Sequence, residues 1–323
     1  MPFSIADLTA AAELVRRSVP ETPQYRWPAL GELLGAQVWV KHENHTPTGS
    51  FKVRGGVVYM DRLRSQRPTV RGVVSATRGN HGQSLAFAGA AAGLAVSVVV
   101  PQGNSPDKNA AMRGFGATVI EHGYDFQAAR EYAAELAAKG RLESVPSFHP
   151  DLVLGVATYA KELFDATGEL DAVYVPVGMG SGICGLIRVR DLLGLRTEII
   201  GVVAAGAPAM ARSFAAGTVI TTERADTFVD GVACRVPDAA AVSMINAGAA
   251  RIVEVDDEAT AAAVRTLFAT THNMPEPAGA IGLGGLLAER DSVSYHRVAV
   301  IQTGGNIDTP LLRTILSGHT PAA

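Results

Sequence analysis

The sequence predicts an α/β protein built from two open, twisted, mostly parallel sheet domains with a ligand cleft between them. Three observations predict it. Short β-branched runs alternate with helical patterns along almost the whole chain. Several of these runs end in glycine-containing turns that open helices. The rhythm breaks once, between Arg141 and Asp151, where two prolines and little periodicity mark a domain crossing.

Taken in order, Met1 to Arg17 lacks the basic start and apolar block of an export signal and reads as an amphipathic helix around Leu8, Ala11, Leu14 and Val15. Val38–Lys41 is a strand pattern. Gly72–Ala76 follows, then a helix from Gly82. Leu85 to Val100 is a long apolar stretch without a charge, but it is shorter than the ~20 apolar residues of a membrane span and changes character at Gly93-Leu94. It reads as an alanine-rich helix and then a strand, Ala95–Val100. A helix from Pro106, a strand at Ala117–Glu121 and a helix from Phe126 to Lys139 complete the first series. The second runs through Ala172–Val177, a helix after Gly182, Glu198–Ala204, Arg251–Val255, a helix opened by Asp256-Asp257-Glu258, and Arg297–Gln302. Acidic residues at that helix start complement its dipole. With a first crossing near Arg64 to Arg71, residues 1-66 and 147-323 form one discontinuous domain and 67-146 a smaller one. Ligands of open α/β sheets bind beyond the C-terminal strand ends, which places the expected cleft.

Composition narrows the partner. With 323 residues, 47% of them hydrophobic, the chain can bury one large core or two modest ones, and its 28 basic and 31 acidic side chains form no long like-charge run. That is not the footprint of a nucleic-acid binder, and a small-molecule partner fits better. Cys184 and Cys234 give neither a disulfide framework nor a paired metal-ligand spacing, and read as buried thiols in a reducing compartment.

Four segments carry chemistry. Lys52 follows Gly49-Ser50-Phe51 and heads an apolar helix pattern of Val53, Val57, Val58, Met60 and Leu63. An amine drawn into a dry pocket loses proton affinity and gains a free lone pair, although on spacing alone a structural lysine serves as well. Thr77-Arg78-Gly79-Asn80-His81 ends a strand and opens a helix whose free amides attract a carboxylate, or Asn80 simply closes the turn. Gly178-Met179-Gly180-Ser181-Gly182 has the glycines of a phosphate nest. It lacks both the dinucleotide spacing and the P-loop lysine, so a phosphomonoester is favoured, with a tight turn as the bland reading. Ile301-Gln302-Thr303-Gly304-Gly305-Asn306 ends a buried strand in a hydroxyl.

Together and in this order the four segments resemble the fold type II family of pyridoxal-phosphate enzymes, tryptophan synthase β-like in fold, in its threonine dehydratase and serine racemase branch. The resemblance extends over nearly the whole chain, through His149-Pro150, Thr158, Asp230-Gly231 and Glu276-Pro277-Ala278-Gly279-Ala280. It implies pyridoxal 5'-phosphate held as a Schiff base by Lys52, with Phe51 against its ring and Asn80 bonded to its hydroxyl. Gly178, Met179, Gly180, Ser181 and Gly182 would bind its phosphate, and Thr303 would face its pyridine nitrogen. Thr77, Arg78, Gly79, Asn80 and His81 would receive the substrate carboxylate. The larger domain would bind the cofactor and the smaller one the substrate. A cytoplasmic homodimer is also implied.

A neutral hydroxyl at Thr303 stabilises a protonated pyridine poorly, which suits β-elimination of a 3-hydroxy amino acid such as L-threonine or L-serine, with Lys52 removing the Cα proton. The serine that protonates the opposite face in serine racemases is replaced by Arg78, which demotes racemisation. Arg78 pairs with a side-chain carboxylate of 3-hydroxyaspartate, steers the α-carboxylate, or points to solvent. Phenylserine and a hydroxyectoine-derived amino acid remain substrates to test, with Tyr25, Met179, His272 and Arg235 as candidate lining residues. No metal is expected, because Val203-Ala204-Ala205-Gly206 offers no carboxylate where several relatives hold a cation. The chain stops soon after Thr303, which leaves no room for an appended regulatory domain and favours a catabolic role. A β-replacement synthase and a non-catalytic phosphate-ligand-binding protein are the remaining alternatives.

Overall fold

The structure, a computed structural model, describes residues 3–124, 126–140 and 142–322. Arg141, where the crossing segment was expected to begin, lies outside the described residues. Among the described residues there are ten strands: β1 (Gln24–Arg26), β2 (Gln37–His42), β3 (Gly72–Ala76), β4 (Ala95–Val100), β5 (Thr118–Glu121), β6 (Glu143–Ser144), β7 (Ala172–Pro176), β8 (Glu198–Ala204), β9 (Arg251–Val255) and β10 (Arg297–Gln302). They form a six-stranded sheet in the order β1-β2-β10-β7-β8-β9 and a four-stranded sheet in the order β5-β4-β3-β6. Every pairing is parallel except β1 with β2.

The chain divides into two compact units. The first comprises the residues up to Ile5, Glu21–His45 and the chain from Ala157 onward; the second comprises Ala6–Pro20 and Thr46–Val156. The first carries the six-stranded sheet. Its core is built from Val38, Val40, Tyr174, Ile200, Val202, Val298 and Val300 on the strands, closed by Ala278, Ala280, Ile281 and Leu283 of the helix Pro277–Glu289. These strands are buried on both faces, which is why they read as continuous β-branched runs.

The second unit carries β3 to β6. Its main segment is bounded at 45/46 and 156/157, where the sequence suggested 66/67 and 146/147, and it also takes in Ala6–Pro20, which the sequence reading placed in the larger domain. The reason is the helix Lys52–Gln66, whose Tyr59, Met60 and Leu63 join the core of Val73, Leu85, Val96 and Val98. A Cβ on Gly55 would sit 2.8 Å from the Leu152 carbonyl oxygen, so its backbone lies directly on the helix Pro150–Thr167. The sequence shows that this helix has an apolar face but not what that face covers. Cys184 and Cys234 are free and buried, and burial pushes their thiols up to about 12 and about 11. Among the described residues no helix is long and apolar enough to cross a membrane.

Candidate active site

In the second unit, the turn before Lys52 depends on Gly49, which sits at φ +68 and donates its N–H to the Thr46 carbonyl at 2.9 Å. A side chain is strained in that left-handed conformation. The next residues close the turn: the Thr46 hydroxyl donates to Ser50 O at 2.9 Å and the Arg54 N–H to Phe51 O at 3.2 Å. Lys52 is therefore the first residue of its helix, half-buried, with its ammonium 5.1 Å from the centre of the Phe51 ring. The Ser50 hydroxyl is fully buried and its oxygen has no hydrogen-bond partner among the described residues.

Thr77 to His81 follow the C-terminal end of β3 in the same unit. Thr77 donates its N–H to Val99 O at 3.0 Å, and its hydroxyl accepts the Gly79 N–H at 3.0 Å. The helix Asn80–Ala91 then starts at Gly79 with no side-chain cap, so the positive end of its dipole lies at this turn. Gly82 lets this turn lie against β3 and β4, since a Cβ there would meet Thr77 at 2.7 Å and Val98 at 3.1 Å. His81 is buried and its Nε2 has no hydrogen-bond partner among the described residues. Desolvation, reinforced by the charge of Lys52, lowers its pKa to about 3, so the imidazole is neutral at working pH. Arg78 is exposed.

In the first unit, Gly178 to Gly182 follow β7, and Gly180 adopts φ +97 as the uncapped N-terminus of the helix Ser181–Leu192. A Cβ on Gly178 would lie 2.6 Å from the Gly231 carbonyl oxygen. The Cys234 thiol reaches the sulfur of Met179 at 3.6 Å. Residues 230–234 therefore form a wall of this loop.

Thr303 follows β10. The parallel register pairs Val300 with Tyr174, and continuing it sets Thr303 level with Val177, at the end of the neighbouring strand. The Thr303 hydroxyl is buried and donates to Ala278 O at 3.2 Å, while a Cβ on Gly231 would come within 2.5 Å of the Ala278 Cβ. Loop, wall and threonine thus share one packed corner beyond the C-terminal strand ends, where ligands of such sheets bind.

Behind Thr303 lies a polar cluster. Trp27 donates its indole N–H to His42 Nε2 at 3.0 Å, which leaves the proton on Nδ1, 2.8 Å from Gln302 Oε1. Gln302 then donates to Met274 O at 3.2 Å. Burial is the main cause that lowers His42 to about 4.

The expected site residues thus fall into two sets: Phe51, Lys52 and Thr77 to His81 in one unit, Gly178 to Gly182 and Thr303 in the other. Of the lining candidates, Tyr25, Arg235 and His272 are exposed, His272 at φ 52, and Met179 is half-buried. Sequence reasoning missed the Gly231–Cys234 wall and the His42 cluster. A signal for the first was present, because Asp230-Gly231 had been noted without a structural role.

Comparison with known proteins gives the chain a family. The sequence profile of the family described as "Pyridoxal-phosphate dependent enzyme" matches residues 15–304. The L-threo-3-hydroxyaspartate ammonia-lyase of Pseudomonas sp is 31% identical, over 98% of this chain and 99% of that protein. The biosynthetic L-threonine dehydratase IlvA of Pasteurella multocida is 31% identical over 91% of this chain, and the match spans only 58% of that relative's length. Among solved structures, the processed form of threonine deaminase isoform 2 from Solanum lycopersicum superposes with a TM-score of 0.91 at 28% identity, covering 97% of this chain and 92% of that one.

Proposed function

The chain belongs to the family of pyridoxal-phosphate dependent enzymes, and on that premise we propose that it is an ammonia-lyase, dehydrating a 3-hydroxy amino acid such as L-threonine or L-serine to a 2-oxo acid and ammonia. The observation that carries this reading is the end-to-end match with an ammonia-lyase of a 3-hydroxy amino acid. The residues fit the cofactor. The helix start at Gly180-Ser181, without a side-chain cap and preceded by Gly178, where a Cβ would meet backbone, suits a phosphate. The unpartnered Ser50 and His81 atoms are polar groups beside the Lys52 turn that a bound ligand would satisfy.

When bound, pyridoxal phosphate supplies the electron sink that acidifies the substrate Cα–H. Lys52 would hold it covalently, Phe51 would pack near its ring, Asn80 would bond its ring hydroxyl, Gly178 to Gly182 would hold its phosphate and Thr303 would face its ring nitrogen. The substrate carboxylate rests on the helix start at Thr77 to His81. Because His81 is neutral, the positive end of the helix dipole supplies that attraction. With its amine free, Lys52 would be the group to take the Cα proton and to return it to the β-oxygen, which would depart as water. The enamine so released hydrolyses to the 2-oxo acid and ammonia. The unit carrying Gly178 to Gly182 and Thr303 anchors the cofactor, and the unit carrying Thr77 to His81 receives the substrate. The reading carries with it a cytoplasmic homodimer acting in amino-acid catabolism.

A second reading, 3-hydroxyaspartate as substrate, is favoured by the exposed guanidinium of Arg78, which suits a second carboxylate. The test is to supply threonine, serine and threo-3-hydroxyaspartate separately and measure 2-oxo acid and ammonia. Release without a second substrate is the expected result. Product formed only with an added nucleophile would indicate a synthase, inverted substrate a racemase, and a protein that takes up no pyridoxal phosphate a non-catalytic binder.

A further inference from the structure

The helices Lys52–Gln66 and Asn80–Ala91 share a polar contact that the proposed chemistry does not use. The Ser84 hydroxyl, fully buried, donates to the carbonyl oxygen of Lys52 at 2.6 Å. It does so through the space that a side chain on residue 56 would occupy. A Cβ on Gly56 would overlap Ser84 Oγ and lie 2.9 Å from Ser84 O. A carbonyl has two lone pairs, so Lys52 O can accept this bond while keeping its own helical one.

Position matters here. Gly56 lies one helical turn after Lys52, and Ser84 one turn after Asn80. The two helices therefore approach tightly one turn inside both of their functional ends. A shift at this crossing moves Lys52 relative to Asn80 and His81 directly.

We propose that Ser84, admitted by Gly56, is a positioning residue that fixes the Lys52 backbone against the helix carrying Asn80 and His81. It touches neither substrate nor cofactor. Its bond to Lys52 O sets where the lysine amine begins its reach and so how it meets a Cα–H, because small misplacements of a catalytic group cost rate steeply. The inference rests on reading Lys52 as the cofactor lysine.

The experiment compares the wild-type and Ser84→Ala holoenzymes after measuring covalent uptake of pyridoxal phosphate at Lys52 in each. The pH titration of the bound-cofactor absorbance reports the state of the Lys52 nitrogen, and its midpoint is expected to move by about half a unit. With it, kcat falls about five-fold while KM changes less than about two-fold, the size of one lost hydrogen bond. The melting temperature of the cofactor-free protein serves as the control for a structural role. An unmoved midpoint with unchanged kcat overturns the proposal, and so does a lowered melting temperature with an unmoved midpoint. Wild-type protein with no uptake at Lys52 overturns the cofactor reading as well, and the uptake measurement separates that failure from the first two.

Discussion

His42 and His81 are both buried imidazoles held neutral by desolvation, and they differ in what their nitrogens meet. In the first unit, Trp27 and Gln302 take both nitrogens of His42. In the second, Nε2 of His81 meets no hydrogen-bond partner among the described residues. Burial and a lowered pKa are thus common to both and distinguish nothing. Satisfaction does: a fully bonded buried group belongs to the scaffold, whereas an unbonded one beside a reactive amine carries a cost that folding alone does not repay.

The same substitution at both sites breaks or sharpens this contrast. His42→Phe leaves the Trp27 donor and the Gln302 acceptor buried and unpaired, and should lower unfolding free energy by about 2–3 kcal/mol in urea titration. His81→Phe removes a polar group that had no partner at Nε2 and should leave stability unchanged or raised. In the elimination assay its kcat/KM should instead fall about ten-fold. A His81 variant that unfolds as readily as the His42 variant would erase the distinction.

Acid sharpens it next. Below 6.5 the unfolded chain binds protons that both folded imidazoles refuse, so stability is lost as pH falls toward about 4 for His42 and about 3 for His81. Each His→Phe variant should lose one proton from the slope of unfolding free energy against pH in that window. The smallest effect is expected at exposed Arg78. Arg78→Ala should weaken kcat/KM for threo-3-hydroxyaspartate about five-fold relative to threonine if the guanidinium meets the second carboxylate, in line with a solvent-screened ion pair. Equal effects on both substrates would return Arg78 to steering the common carboxylate.

The contrast also explains what could be read in advance. His81 sits in a short segment, Thr77 to His81, whose helix-start chemistry is local and therefore legible. His42 draws its partners from β10 and from Trp27, far apart in sequence, and nothing local signals them. Strand runs such as Ala95–Val100 and Glu198–Ala204 are legible because burial over most of their length keeps them mainly apolar. Gln24–Arg26 and Glu143–Ser144 are too short to carry a pattern. The unit boundary was misplaced around the helix Lys52–Gln66 for a related reason: its glycines fix which neighbour it packs on, and that neighbour is visible only in three dimensions.

The central claim is that Lys52 carries the cofactor. Purified protein incubated with pyridoxal phosphate, reduced with borohydride and digested should yield one phosphopyridoxyl-modified peptide, with the label on Lys52, and Lys52→Ala should show no label and no elimination. Label on another lysine, or full turnover by Lys52→Ala, would contradict the account.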